Sequence, residues 1–273
     1  MAVRMRERRD TAGRVPGEGL RAAGVTVRFG QVTAVDGAGL TAPPGAVTGL
    51  LGPDGAGKTT LCDVLCGLRR PMDGSVLLDG ADLLGRSPGE VARRGLARTF
   101  QQPSRPRGRS ARRTVRDTVQ AVAQQEVARR EIAGRDRLDR RRRRSAALAL
   151  TGETADTLLT RLGIAGFADR RADAVPAEVA RLAELASALA ARPRALVLDE
   201  PSAGLGEAAS RALEVLLRDL AAEGLAIVLV ERDLERVLGV CDTVHVLAHG
   251  RVVACGPPAE VRYDHFVQSA CVP

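Results

Sequence analysis

Apolar residues in this chain come in two rhythms, and the change of rhythm divides it into three stretches. Short apolar runs bounded by turn residues predict strands near both ends, while apolar positions three and four apart predict helices in the middle. Val25 to Phe29 and Val32 to Leu40 read as strands around a Gly30-Gln31 turn. Ala46-Val47-Thr48-Gly49-Leu50-Leu51 reads as a buried strand, and Lys58 to Leu68 carries helical spacing. Asp73-Gly74-Ser75-Val76-Leu77-Leu78-Asp79-Gly80 is strand material between turn signals. From Gln101 to about Ala190 strand signals vanish, and Ala, Arg, Leu and Glu recur at helical intervals. Strands return at Ala195-Leu196-Val197-Leu198, at Ala226 to Val230 and at Thr243 to Leu247; Gly250-Arg251-Val252-Val253 reads as a hairpin closing the sheet. The expectation is an α/β core interrupted by a helical insert of about 90 residues. Residues 1 to 18, polar and Arg-rich, read as a disordered basic tail.

Between the buried strand and the helix lies Gly52-Pro53-Asp54-Gly55-Ala56-Gly57-Lys58-Thr59-Thr60, a full match to G-x-x-x-x-G-K-[ST]. Glycines there let successive backbone N–H groups curl round a phosphate, and the following helix points its positive end at the anion. Lys58 is the only lysine among the 41 Lys and Arg residues. A chain that uses arginine everywhere else keeps lysine where a compact ammonium must reach between β- and γ-phosphates. The Thr59 hydroxyl is placed to ligate Mg²⁺. A Gly-rich turn that binds nothing is the plain alternative; the strand before and the helix after favour nucleotide binding.

Composition changes this picture little. Hydrophobic residues make up 45% of the 273, ordinary for a globular protein able to bury a sizeable core. No apolar run is long enough to cross a bilayer, and the basic start, Met1 to Asp10, has no apolar stretch after it and is not read as a secretory signal. The five cysteines, Cys62, Cys66, Cys241, Cys255 and Cys271, form no CxxC pair, so a reducing cytoplasm is expected, with Cys62 and Cys66 as small core residues. A net charge of +8 invites a nucleic-acid partner. Aromatics at 2% and the absence of tryptophan argue against one, because stacking platforms are scarce. The chain also lacks asparagine and has three isoleucines, Ile132, Ile164 and Ile227, which suggests GC-rich coding and weakens the arginine excess as a sign of any partner. Arg140 to Arg144 reads as a solvated helix face or connector, with contact to acidic lipid or RNA as the other reading.

A second stretch completes the chemistry. Leu196-Val197-Leu198-Asp199-Glu200 is a buried strand ending in two carboxylates, at the edge of a parallel sheet where ligands bind. Asp199 can hold Mg²⁺ through water, and Glu200 can polarise an attacking water. With these residues the chain resembles the ATP-binding subunit of an ABC transporter, in detail the branched-chain amino-acid importer type. The matching stretches are Val27-Arg28-Phe29-Gly30, the loop from Gly52 to Thr60, Ala97-Arg98-Thr99-Phe100-Gln101, Leu196 to Pro201, and Gly256-Pro257-Pro258-Ala259-Glu260-Val261-Arg262. The resemblance implies a P-loop NTPase core at about residues 19–100 and 191–255, an antiparallel β subdomain, a helical subdomain at about 101–190, an ATPase domain spanning 19–260, and an importer-type tail over 256–273. It implies that Phe29 stacks on adenine, that Gln101 reaches Mg²⁺ and the attacking water, and that Arg105 to Arg113 lies near the permease. It also implies integral membrane permease subunits as partners and a place on the inner face of the cell membrane. Two such domains would close head to tail over ATP.

Two family motifs are broken. The signature, L-S-G-G-Q in the family, falls here on Val175-Pro176-Ala177-Glu178-Val179. Pro176 removes a hydroxyl and a backbone donor, and Glu178 brings a carboxylate toward the phosphate of the ATP held by the partner. Like charges about 4 Å apart repel by roughly 4 kcal/mol at an effective dielectric of 20. Arg232 in Glu231-Arg232-Asp233 replaces the family's switch histidine; His245, His249 and His265 lie too far along to substitute. Arginine cannot shuttle a proton but could grip a γ-phosphate. A transport ATPase subunit paired with a different, intact ATP-binding subunit is therefore expected. The alternatives are an ATP-binding pseudo-ATPase with a structural or regulatory role, a urea- or amide-type importer subunit, and a nucleic-acid-linked relative, which the Phe100-Gln101 loop and tail argue against.

Overall fold

The structure, a computed structural model, describes residues 17–99, 113–133, 154–264 and 267. The tail over residues 1–16, Phe100 and Gln101, Arg105 to Arg112, the run Arg140 to Arg144, His265 and Cys271 lie outside the described residues.

Among the described residues, two sheets carry the fold. β1 (Leu20–Phe29), β2 (Val32–Ala42), β4 (Asp73–Leu78) and β5 (Ala81–Asp82) form an antiparallel sheet in the order β2-β1-β4-β5. The second sheet has the order β10-β9-β3-β8-β7-β6, from β3 (Val47–Leu51), β6 (Leu96–Thr99), β7 (Ala195–Asp199), β8 (Ala226–Glu231), β9 (Thr243–Ala248) and β10 (Arg251–Gly256). Its neighbours pair in parallel except β10, which runs antiparallel to β9 at the edge.

The parallel strands read as unbroken apolar runs because both their faces are covered. Side chains alternate across a strand, so neighbours go to different cores. Leu196, Leu198, Ile227 and Leu229 join the core shared with α3 (Val115–Ala133), α5 (Ala177–Ala190), α6 (Glu207–Ala222) and α7 (Leu234–Val240). Ala195, Val197, Val228 and Val230 join the opposite core, with the antiparallel sheet and α1 (Lys58–Leu65). In the first core Val115 and Val119 of α3, and Ala155 and Leu159 of α4 (154–161), are fully buried alongside Val179, Ala183 and Ala186 of α5. A single strand-like pairing, Thr114 with Arg171, ties the start of α3 to the segment ahead of α5.

Several boundaries move. β1 and β2 run longer than expected, because pairing extends through Ala- and Gly-rich positions with little apolar signal. α1 stops at Leu65 rather than Leu68. Gly67 takes φ 70°, and the N–H groups of Leu68 and Arg69 turn back to the Asp63 carbonyl, so the chain leaves the helix three residues early. Three further elements precede the insert: β5, α2 (Pro88–Arg93) and β6. α2 has a readable sequence signal, since Ser87 and Glu90 form a reciprocal capping box with Pro88 at the first helical position.

Candidate functional site

β3 delivers the chain into the loop from Gly52 to Gly57, and α1 takes it up at Lys58. Two glycines are demanded by geometry. A Cβ on Gly52 would stand 2.1 Å from the Leu247 carbonyl oxygen. Gly57 has φ 104°, and its Cβ would lie 2.3 Å from the Ala34 carbonyl oxygen. Lys58 is buried and donates to the carbonyls of Gly52 at 2.6 Å and Pro53 at 2.9 Å. An ammonium has three protons, so one donor remains for a phosphate oxygen. Burial pulls the Lys58 pKa below its usual value, while Asp54 and Glu200 oppose the fall. Ala56 is buried under the loop; Asp54, Gly55 and Thr59 are exposed on it, and Pro53 and Thr60 are half-buried.

Asp199 ends β7 and Glu200 follows, both buried. Asp199 has a partner that sequence reasoning did not foresee. Arg98 of β6 donates to Asp199 Oδ2 at 2.8 Å and to Asp63 Oδ1 of α1 at 2.6 Å, with its own side chain 6% exposed. Burial pulls the Arg98 pKa down; the hydrogen bonds to Asp63 and Asp199 help raise it above its ordinary value. Arg98 was legible only as part of the Ala97 to Gln101 stretch, and nothing in the order of residues says which carboxylates it meets. The nearby thiols of Cys62 and Cys66 are core residues, as expected; burial pushes both pKa values up, Cys66 to about 12.

Glu200 adopts φ 48°, a left-handed backbone conformation unusual for a side-chain-bearing residue, and its N–H donates to the Val230 carbonyl at 2.9 Å. Arg232, after β8, donates through Nε and Nη2 to the two oxygens of Glu200 at 2.6 and 3.1 Å, and through Nη1 to Asp54 Oδ2 at 2.9 Å. The structure thus places Arg232 on the carboxylate expected to polarise water. Those contacts raise its pKa. Next to it, buried Glu231 accepts from Ser202, and burial lifts the Glu231 pKa. Asp233 caps α7 by accepting from the N–H groups of Glu235 and Arg236.

Phe29 ends β1, 45% exposed, with the Arg69 guanidinium 4.3 Å from its ring centroid. That is a cation–π contact on one ring face. The broken signature straddles the start of α5: Pro176 is the N-cap and supplies no side-chain hydrogen bond. Pro176, Ala177 and Glu178 are exposed, Val175 is half-buried and Val179 is buried. Glu178 sits in the first helical turn, where a carboxylate complements the helix dipole. His245 is buried in β9 and His249 sits in the turn after it.

The residues that meet are therefore the loop around Lys58, the end of β7 and the turn after β8. A glycine-lined anion loop opening a helix, beside carboxylates at the carboxyl end of a parallel sheet, defines a nucleotide-binding P-loop ATPase. A family model for the ABC transporter matches residues 35–203. The chain is 32% identical over 241 residues to the high-affinity branched-chain amino acid transport ATP-binding protein LivG of Escherichia coli strain K12, an overlap covering 88% of this chain and 91% of that one. It is 31% identical over 246 residues to BraF, named for the same transport function, of Pseudomonas aeruginosa, covering 89% and 93%. Among solved structures, the ADP conformation of MJ1267, an ATP-binding cassette of an ABC transporter, superposes with a TM-score of 0.74 at 25% identity over 92% of this chain and 97% of that one. The chain belongs to the ABC transporter family, as an ATP-binding subunit.

Proposed function

We propose that the chain binds ATP through Lys58, the loop from Gly52 to Thr60 and Phe29, and hydrolyses it to drive an importer of branched-chain amino acids. The observation that carries this is the meeting of an intact phosphate loop with Asp199 and Glu200 at the end of β7. The branched-chain amino acid transport for which LivG and BraF are named supports the solute class. Oxygen ligands suit Mg²⁺: the exposed Thr59 hydroxyl would ligate it, and Asp199 would hold it through water. Bound there, the cation would neutralise phosphate charge. Lys58 holds the phosphates, Glu200 takes up the proton of the attacking water, and Gln101 joins them in the closed complex.

In the assembled transporter the domain comprises a nucleotide-binding core over about residues 19–100 and 191–255, with a helical subdomain over about 101–190 facing the permease. It lies on the inner face of the membrane; among the described residues no helix is long and apolar enough to cross one. The productive partner is a second, different ATP-binding subunit. In a homodimer each composite site would carry both Glu178 and Arg232; with an intact partner each carries one. A second reading, ATP binding with little turnover at this chain's own loop, is favoured by the Arg232 contact with Glu200.

Lys58→Ala tests the site. It should abolish thermal stabilisation by Mg-ATP, and unchanged stabilisation in that variant sinks the assignment. A purified homodimer with turnover equal to that of the hetero-complex would contradict the pairing.

A further inference from the structure

Arg232 makes three charge-assisted hydrogen bonds, and ATP hydrolysis as outlined above uses none of them. Two run in parallel to the two oxygens of Glu200, the fork geometry in which a guanidinium grips a carboxylate most firmly. The third reaches Asp54 in the phosphate loop. Arg232 stands on a fixed base. Glu231 before it is buried and tied to Ser202, and Asp233 after it caps α7. The carboxylate it holds sits on a left-handed backbone, at φ 48°. One side chain therefore joins the phosphate loop, the end of β7 and the end of β8.

A carboxylate that polarises water must turn an oxygen toward the water's proton. In hydrolysis a bond forms between the water oxygen and the γ-phosphorus. The bond from that phosphorus to the bridging oxygen breaks, ADP leaves with the electron pair, and the water's proton passes to the carboxylate. A guanidinium donating to both oxygens opposes this twice. It takes one acceptor direction on each oxygen, and it fixes the orientation of the carboxylate plane. We propose that Arg232 is an autoinhibitory clamp on Glu200, which holds this chain's own site in an ATP-binding, slowly hydrolysing state until the contact with Glu200 is broken. This rests on the reading of Glu200 as the water-polarising group. The Arg232 side chain is 51% exposed, so the clamp is open to solvent and can release.

The clamp differs from simple loss of the switch histidine in what alanine does. If a missing histidine alone limits turnover, Arg232→Ala is no better than the parent. If the clamp limits it, Arg232→Ala frees Glu200 and turnover rises. The assay is ATP hydrolysis by the full chain in the complex that co-purifies with it, with kcat and ATP affinity measured separately. Arg232→Ala should raise kcat at least about tenfold, a small part of the 10²–10⁴ a positioned base supplies. ATP affinity should change by less than about threefold, the mark of an effect outside ground-state binding. Arg232→Lys, which keeps charge and stem but lacks the fork, should fall between parent and alanine and serves if alanine does not fold. Glu200→Gln added to Arg232→Ala should erase the gain. Unchanged or lower kcat in both Arg232 variants, or a gain that survives Glu200→Gln, overturns the clamp. The outcome separates from the nucleotide-site reading, because that reading fails on Mg-ATP stabilisation of Lys58→Ala, whatever Arg232 does.

Discussion

Replacing Arg98 with methionine should destabilise the protein severely, although Arg98 belongs to no motif of the phosphate loop. Its guanidinium bridges Asp199 and Asp63 at 2.8 and 2.6 Å. The side chains are 6% exposed for Arg98, 2% for Asp199 and 27% for Asp63. Methionine fills much of the volume and removes the charge. Asp63 can turn to solvent; Asp199 cannot, and is left as a buried carboxylate without its counter-charge. Breaking a buried pair from one side costs about 3–5 kcal/mol. In a domain of this size each kcal/mol moves Tm by about 2–4 °C, so the loss should be roughly 6–20 °C. Thermal denaturation followed by circular dichroism measures it. The double variant Arg98→Met with Asp199→Asn removes the stranded charge and should recover at least half of the loss, because a neutral pair of similar shape does not carry the penalty. A fall below about 2 °C in the single variant, or a double variant as unstable as the sum of the two singles, refutes the reasoning.

Two further outcomes follow from the geometry. Glu231→Gln should raise Tm at pH 7 to 8 and leave it unchanged near pH 4: burial lifts the folded Glu231 pKa above 4.5, so the stability held by the neutral carboxyl is present below that value and lost as pH rises through the folded value. A Tm gain equal at both ends of the pH range would contradict this. Gly57→Ala should cost more than Gly55→Ala: both have positive φ, but only at Gly57 would the new Cβ meet a backbone oxygen, 2.3 Å away, whereas nothing lies within 4 Å at Gly55. Gly55→Ala should lose about 1–2 kcal/mol from backbone strain alone, and Gly57→Ala more, with ATP affinity falling alongside; equal denaturation midpoints for the two variants would count against the clash.

Read alone, the sequence determined the elements whose signal is local. A buried parallel strand must be apolar along its whole length, so β3, β7, β8 and β9 were visible as runs. A phosphate loop must be built from glycines at set spacing, so Gly52 to Thr60 was visible as a motif. α2 was equally local in its capping box, and was missed because six residues of helix leave little periodicity. Partnership across the fold was beyond reach. Arg98, Asp63 and Asp199 lie on three different elements, and only the order of strands brings β6 beside β7 with α1 alongside. Arg232 could be recognised as standing where a histidine is expected, but its target could not. Glu200 and Asp54 are 32 and 178 residues away along the chain, and they converge on Arg232 because β3, β7 and β8 end at the same edge of one parallel sheet. Apolar spacing encodes which face of an element is buried; which charges then meet depends on how the elements are stacked, and only the tertiary structure decides that.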